Sequence, residues 1–190
     1  MTASDLVLLM LDAFGSEIQG KTMLQKRCYF VALMCGWQHE MGFGPHYYGP
    51  YASELDNAAG QLRALGFIEE SKVTFGVVGG GGFEISRYDY KLTEDGRAVA
   101  SVRKGKRPED WNAIKNAVDK IKAAGDRGYV ELSIAAKAYY LLEQKGGPAS
   151  AEELAQLAQR FGWQVQPAQV AEAWEFLKRL DLIRVVDRKA

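Results

Sequence analysis

His46-Tyr47-Tyr48-Gly49-Pro50-Tyr51 leads into a helical stretch, Ser53–Leu65, and then into the apolar step Gly66-Phe67-Ile68. Aromatics clustered around a Gly-Pro turn, ahead of an amphipathic helix that exits into a strand, predict a packed loop feeding a helix–strand junction. Ser53 is expected to cap that helix, with Asp56 reaching back to the cap. Leu55, Ala58, Ala59, Leu62 and Leu65 form its expected buried face. Gly66 is placed to end it in the left-handed conformation.

Upstream, residues 5–14 read as a short helix, and Gly15 and Gly20 bracket a turn. Thr22-Met23-Leu24-Gln25 has the form of a capping box. The helix it opens runs to about Cys35, with Leu24, Cys28, Val31 and Cys35 on one stripe that Met23, Phe30 and Met34 widen, so it belongs in a core. Downstream, Phe67–Phe75 and Phe83–Leu92 read as strands around a glycine-rich hairpin tip, Gly76–Gly82. Thr93-Glu94-Asp95-Gly96 caps a further helix. Helix, helix, helix, hairpin is the order of a winged-helix unit, and Ser53–Leu65 stands where such folds usually present their recognition helix to DNA.

Pro108 suits the first position of another helix, Pro108–Ala124, with Trp111, Ile114, Val118 and Ile121 on one face. After a turn at Gly125-Asp126-Arg127-Gly128, Val130–Gln144 is expected as a helix with Leu132, Ala136, Tyr139 and Tyr140 inward. Ser150-Ala151-Glu152-Glu153 is a capping box opening a helix to Phe161. Pro167–Leu180 follows, burying Val170, Trp174 and Leu177, and exits into an expected strand, Leu182–Val186. Gln61–Ile68 and Phe176–Ile183 repeat leucines, a basic residue and a closing isoleucine in register, which suggests a second helix-turn-helix-like module. The expected architecture is mainly α (α+β): a winged-helix-like unit over residues 1–107, a connecting helix and turn over 108–128, and a helical module over 129–190.

The chain has 190 residues and no net charge. Neutrality argues against strong non-specific affinity for nucleic acid. No apolar run approaches the roughly 20 residues that span a bilayer, and the N-terminus lacks a basic leader, so a cytoplasmic protein is expected. Cys28 and Cys35, two turns and about 10 Å apart on one helix, are too distant for a disulfide and read as reduced core residues.

A local basic stretch does exist. Arg97, Arg103, Lys104, Lys106 and Arg107 fall in a run without acids, and Arg87 and Lys91 precede them on the wing. These would contact phosphate. Asn57, Gln61 and Arg63 on the recognition helix would read base edges, although Glu54 and Asp56 beside them would be repelled by a DNA backbone. His46, Tyr47, Tyr48 and Tyr51 offer stacking surfaces to a protein partner.

Catalytic and metal chemistry find no constellation. His39 and His46 are the only histidines, and no Cys-x-x-Cys accompanies them. Gly79–Gly82 is followed by a strand rather than a helix and has no lysine nearby, which excludes a phosphate loop. Glu69-Glu70 and Glu152-Glu153 have no second polar element beside them. No cofactor is expected.

Several elements together resemble the YwgA-type family of small bacterial proteins. They are Lys21 with Leu24-Gln25-Lys26, Tyr29-Phe30, the His46–Tyr51 string, Leu55, Leu65-Gly66-Phe67-Ile68 and Tyr90–Gly96. More distantly they are similar to the Panacea domain of SocA-like antitoxins, which shares a Tyr-Gly-Pro step between core helices. The resemblance covers about residues 5–100. It implies a helix-turn-helix-like module, antitoxin-like or adaptor in character, acting by contact rather than catalysis. The expectation is a non-enzymatic regulator that binds double-stranded DNA, a protein partner, or both. The alternative is a protein-interaction module without DNA binding. A homodimer through the apolar face of Pro108–Ala124 is compatible with either.

Overall fold

The Thr2 hydroxyl accepts a bond from the Asp5 amide at 3.1 Å and so caps the first helix. This helix, α1 (Ala3–Ala13), buries Leu6 to Leu11 without interruption. A helix that is apolar on every side must be enclosed. Packed against α1 are α2 (Lys21–Cys35), α4 (Ser53–Ala64), α5 (Glu94–Lys106) and α6 (Pro108–Ala123), with the short α3 (Gln38–Met41) attached to α2. The computed structural model describes residues 1–78 and 83–184. It is mainly helical, with one small antiparallel sheet.

The sheet holds β1 (Glu17–Gln19), β2 (Ile68–Val78) and β3 (Phe83–Leu92) in the order β1-β3-β2. Ile18 lies opposite Tyr90 and Ile68 opposite Leu92, and these four side chains are buried against the helices. A register shift between Thr74 and Gly76 kinks β2. The two expected strands are present, with β2 running on to Val78. The glycine turn Gly79–Gly82 lies outside the described residues. At the sheet's exit the Thr93 hydroxyl accepts from Gly96 N at 2.9 Å and donates to Gly66 O at 2.8 Å, tying the start of α5 to the end of α4.

The remaining helices are α7 (Tyr129–Lys145), α8 (Ala151–Gln159) and α9 (Pro167–Arg179). They do not stand apart. α7 packs on α2 as well as on α9, and the rings of Phe30 and Phe176 meet edge to face at 5.4 Å. α2 therefore has neighbours on both sides, which accounts for its wide apolar stripe.

Some local expectations fail for identifiable reasons. The Thr22–Gln25 capping box does not form. α2 begins at Lys21 behind Gly20, and Gln25 is instead buried against Ala52, at the entrance to α4. Ser53 does not cap α4 either. Ala52 holds that position, and Asp56 turns to Tyr51 and Gln25. Gln25 is claimed by the buried main chain of Ala52, whose unmet bonds would cost more than one at a solvated helix end, and Asp56 is claimed by the side chains of Tyr51 and Gln25. Leu65 falls past the last turn of α4 and is exposed, while Gly66 takes the left-handed conformation expected of it. No strand forms over 182–184. Asp181 turns left-handed and Leu182 N closes onto Leu177 O; residues 185 and 186 lie outside the described residues. Tyr139, Tyr140 and Trp174 are half-buried, and Phe176, not foreseen, takes the core site. The apolar face of α6 is spent inside the chain, since Ile114, Val118 and Ile121 are fully buried, so it is not free to form a dimer. The Ser150–Glu153 capping box forms as expected.

Candidate functional site

The aromatic loop is fastened on its inner side. Gly44 and Tyr51 exchange backbone bonds, each 2.9 Å, and so close the loop on itself. The Gln25 side chain donates to Ala52 O and accepts from Ala52 N, each at 3.0 Å. Tyr51 donates to Asp56 at 2.6 Å, and burial together with this bond pushes its phenol up to about 12. From the other half of the chain, the Trp163 indole donates to His46 O at 2.7 Å. His46 stacks on Tyr51 at 4.8 Å. With its backbone held, the loop turns Tyr47 and Tyr48 outward, 73% and 45% exposed.

Beneath the loop lies Lys26, 1% exposed, whose Nζ donates to Pro50 O at 2.6 Å. Burial, aided by the charge of Lys137, pushes this ammonium down to about 7. The unfolded chain keeps its lysine protonated to about pH 10, so between those limits it binds more protons than the folded protein. Stability carried by this residue should therefore rise as pH goes from about 7 toward 10. Urea melts over that range should show this slope in the wild type and a flatter one in Lys26→Met.

Beside the loop opens a cleft of about 860 Å³. Its lining includes Phe75, Arg87 and Tyr88 of the hairpin together with Tyr48 and Tyr129. The floor is Phe14, with the Arg27 guanidinium 4.0 Å and Lys122 Nζ 5.3 Å from its ring centre. Tyr48 and Tyr129 meet edge to face at 6.4 Å. Most cations here already hold a carboxylate. Arg27 forks onto Asp126 and Arg87 onto Asp89, while Lys21 pairs with Asp56. Among the described residues Lys122 bonds only a carbonyl, Ala13 O at 3.0 Å.

The basic stretch is similarly engaged. Arg103 pairs with Asp5 at 3.1 Å and Lys104 with Asp12 at 2.8 Å; Arg107 meets Asp110 at 3.3 Å. Arg63 pairs with Glu70, and Arg97 donates to Leu92 O at 3.1 Å. Lys91, Lys106, Asn57 and Gln61 are exposed. The candidate DNA contacts are thus divided among α4, β3 and α5, and of them Arg87 shares the cleft with Tyr48. Sequence reasoning missed Lys26, Lys122 and Tyr129. Lys26 stands in the Leu24-Gln25-Lys26 element without a role being assigned to it, Lys122 and Tyr129 sit in no motif, and only the fold brings them to the loop and cleft.

Cys28 is buried, which holds its thiol well above the usual range, and burial pushes Cys35 up to about 11. Neither is an activated nucleophile. Among the described residues no cluster of His, Cys, Asp or Glu could hold a metal ion, and no helix is long and apolar enough to cross a membrane.

Fold and site together define a mainly helical α+β protein built around an aromatic cleft. No family model matches the chain. YwgA of Bacillus subtilis (strain 168), an uncharacterised protein, is 32% identical to it over 118 residues, which is 62% of this chain and 63% of that protein. The chain thus spans less than two thirds of that relative's length. This likeness accords with the YwgA-type motifs.

Proposed function

We propose that the chain is a non-enzymatic, winged-helix-like regulator that recognises a protein partner through the 46–51 loop and the adjoining cleft. Antitoxin-like or adaptor action fits this reading. The observation that carries it is a contrast in availability. Tyr48, Phe75, Tyr88 and Tyr129 are exposed around one opening, with exposed Tyr47 against Tyr48, whereas Arg103, Lys104 and Arg107 are occupied by carboxylates. Exposed aromatics grouped this way suit an interface. The winged-helix reading is supported by the order α1-β1-α2-α4-β2-β3, with β1 pairing to β3. Residues 1–107 would be the recognising unit and 129–190 a second helical module.

The test is a photo-crosslinking side chain in place of Tyr47, introduced in the native host. A discrete protein adduct is expected, and Tyr47→Ala combined with Tyr48→Ala should weaken binding of that protein by at least about tenfold. The double variant should melt as the wild type does, because both rings are exposed. A nucleic-acid adduct, or none, would count against the reading.

One observation favours a second reading. Lys91, Arg97 and Lys106 are exposed and form no ion pair among the described residues. Fluorescence anisotropy with random duplex DNA across a salt series tests it. Binding that collapses with salt would bring DNA back as the target.

A further inference from the structure

The geometry points to an acidic, extended peptide segment as the ligand of this cleft, added to the sheet as a strand along the open edge of β3. This rests on reading the cleft as a protein-binding surface. β1 covers only one end of β3. Leu92 N donates to Ser16 O at 2.8 Å and Gly20 N to Tyr88 O at 3.2 Å, so the even-numbered residues of β3 turn their backbone groups toward β1. Among the described residues the Gly20 contact is the last rung. There the chain leaves the sheet for α2, and Gly20 O accepts from Leu24 N at 3.0 Å instead. Two residues further along β3, the N–H and C=O of Ser86 face the same side, where Gly20, Lys21 and Tyr88 line the cleft rather than a strand.

The edge from Phe83 to Arg87 is about 17 Å long at 3.4 Å per residue, enough for about five residues of a ligand strand. A paired donor and acceptor at strand spacing fit a peptide backbone and not a polynucleotide. Charge agrees. Lys21, Arg27, Arg87 and Lys122 line the cleft against Glu17 and Asp126, and among the described residues Lys122 pairs with no carboxylate. A single unmatched cation suits one acidic side chain, whereas a row of phosphates would need several. The outer edge of β2 is less inviting, being blunted by Glu70 and Lys72 and kinked at Thr74.

The test pans a random library of displayed dodecapeptides on the full chain and resynthesises the selected peptides with alternate backbone amides N-methylated. Selected sequences should be largely apolar and share one acidic residue. The parent peptide should slow hydrogen exchange at the Ser86 amide, and one of the two N-methylated forms should bind at least about tenfold more weakly. If both N-methylated forms bind like the parent, or Ser86 is left unprotected, strand addition is wrong while a protein-binding cleft survives. Selection of no peptide, or tighter binding of oligodeoxythymidylate in the cleft, overturns the proposal. The cross-linking at Tyr47 judges the underlying reading separately.

Discussion

Gly96→Ala is expected to destabilise the fold by about 3 kcal/mol, at the upper end of what forced overpacking costs. A methyl group on Gly96 would sit 1.9 Å from Phe67 O and 2.9 Å from its carbonyl carbon. Both atoms are backbone, so no side chain can swing aside. The Phe67 carbonyl is fixed from the other direction by Thr93, whose amide donates to it at 3.1 Å and whose hydroxyl, donating chiefly to Gly66 O, shares its proton with it at 3.1 Å. The first turn of α5 would have to lift off the start of β2, and the Thr93 bridge would break with it. Urea denaturation should show a lower midpoint, and a loss below about 1 kcal/mol would mean the junction yields more easily than its bonds imply.

Gln25→Leu should cost a comparable amount, about 3 kcal/mol, despite preserving volume. Its amide satisfies both the donor and the acceptor of Ala52, a fully buried residue. Leucine would leave both unmet, at about 1–3 kcal/mol for each group. The two substitutions differ in where the damage spreads. Gly96→Ala acts at the sheet, while Gln25→Leu acts at the exit of the 46–51 loop, so faster amide exchange around Tyr51 should mark Gln25→Leu alone.

Contacts near in sequence were the legible ones. The Ser150 box, the left-handed Gly66 and, Leu65 and Trp174 excepted, the buried faces of α4, α6 and α9 follow from spacing within a turn or two, and the paired strands follow from alternation. β1 escaped because its three residues are too few to set a period. Gln25 and Asp56 were misread for the opposite reason: each has the local form of a helix cap, and each is claimed by a group outside its own helix. The basic stretch looked unopposed because its counter-charges, Asp5 and Asp12, lie on the first helix, with 92 residues separating Lys104 from Asp12. The cleft needed still more, since Arg27 and Asp126 are 99 apart. No window along the chain contains such pairs.

The bond from Trp163 to His46 spans 117 residues, while those from Gln25 and Lys26 to the same loop span 27 and 24. Ring closures of such unequal length form at different times during folding, the longest last as a rule. The loop can begin to set once α2 and α4 meet, but it reaches its final shape only after α8 and α9 have docked. Tyr47 and Tyr48 are thus displayed only by a fully assembled chain. On the proposed reading, a lesion in the last third, far from the cleft, would silence recognition by leaving the display unfinished, so that binding itself would certify complete folding.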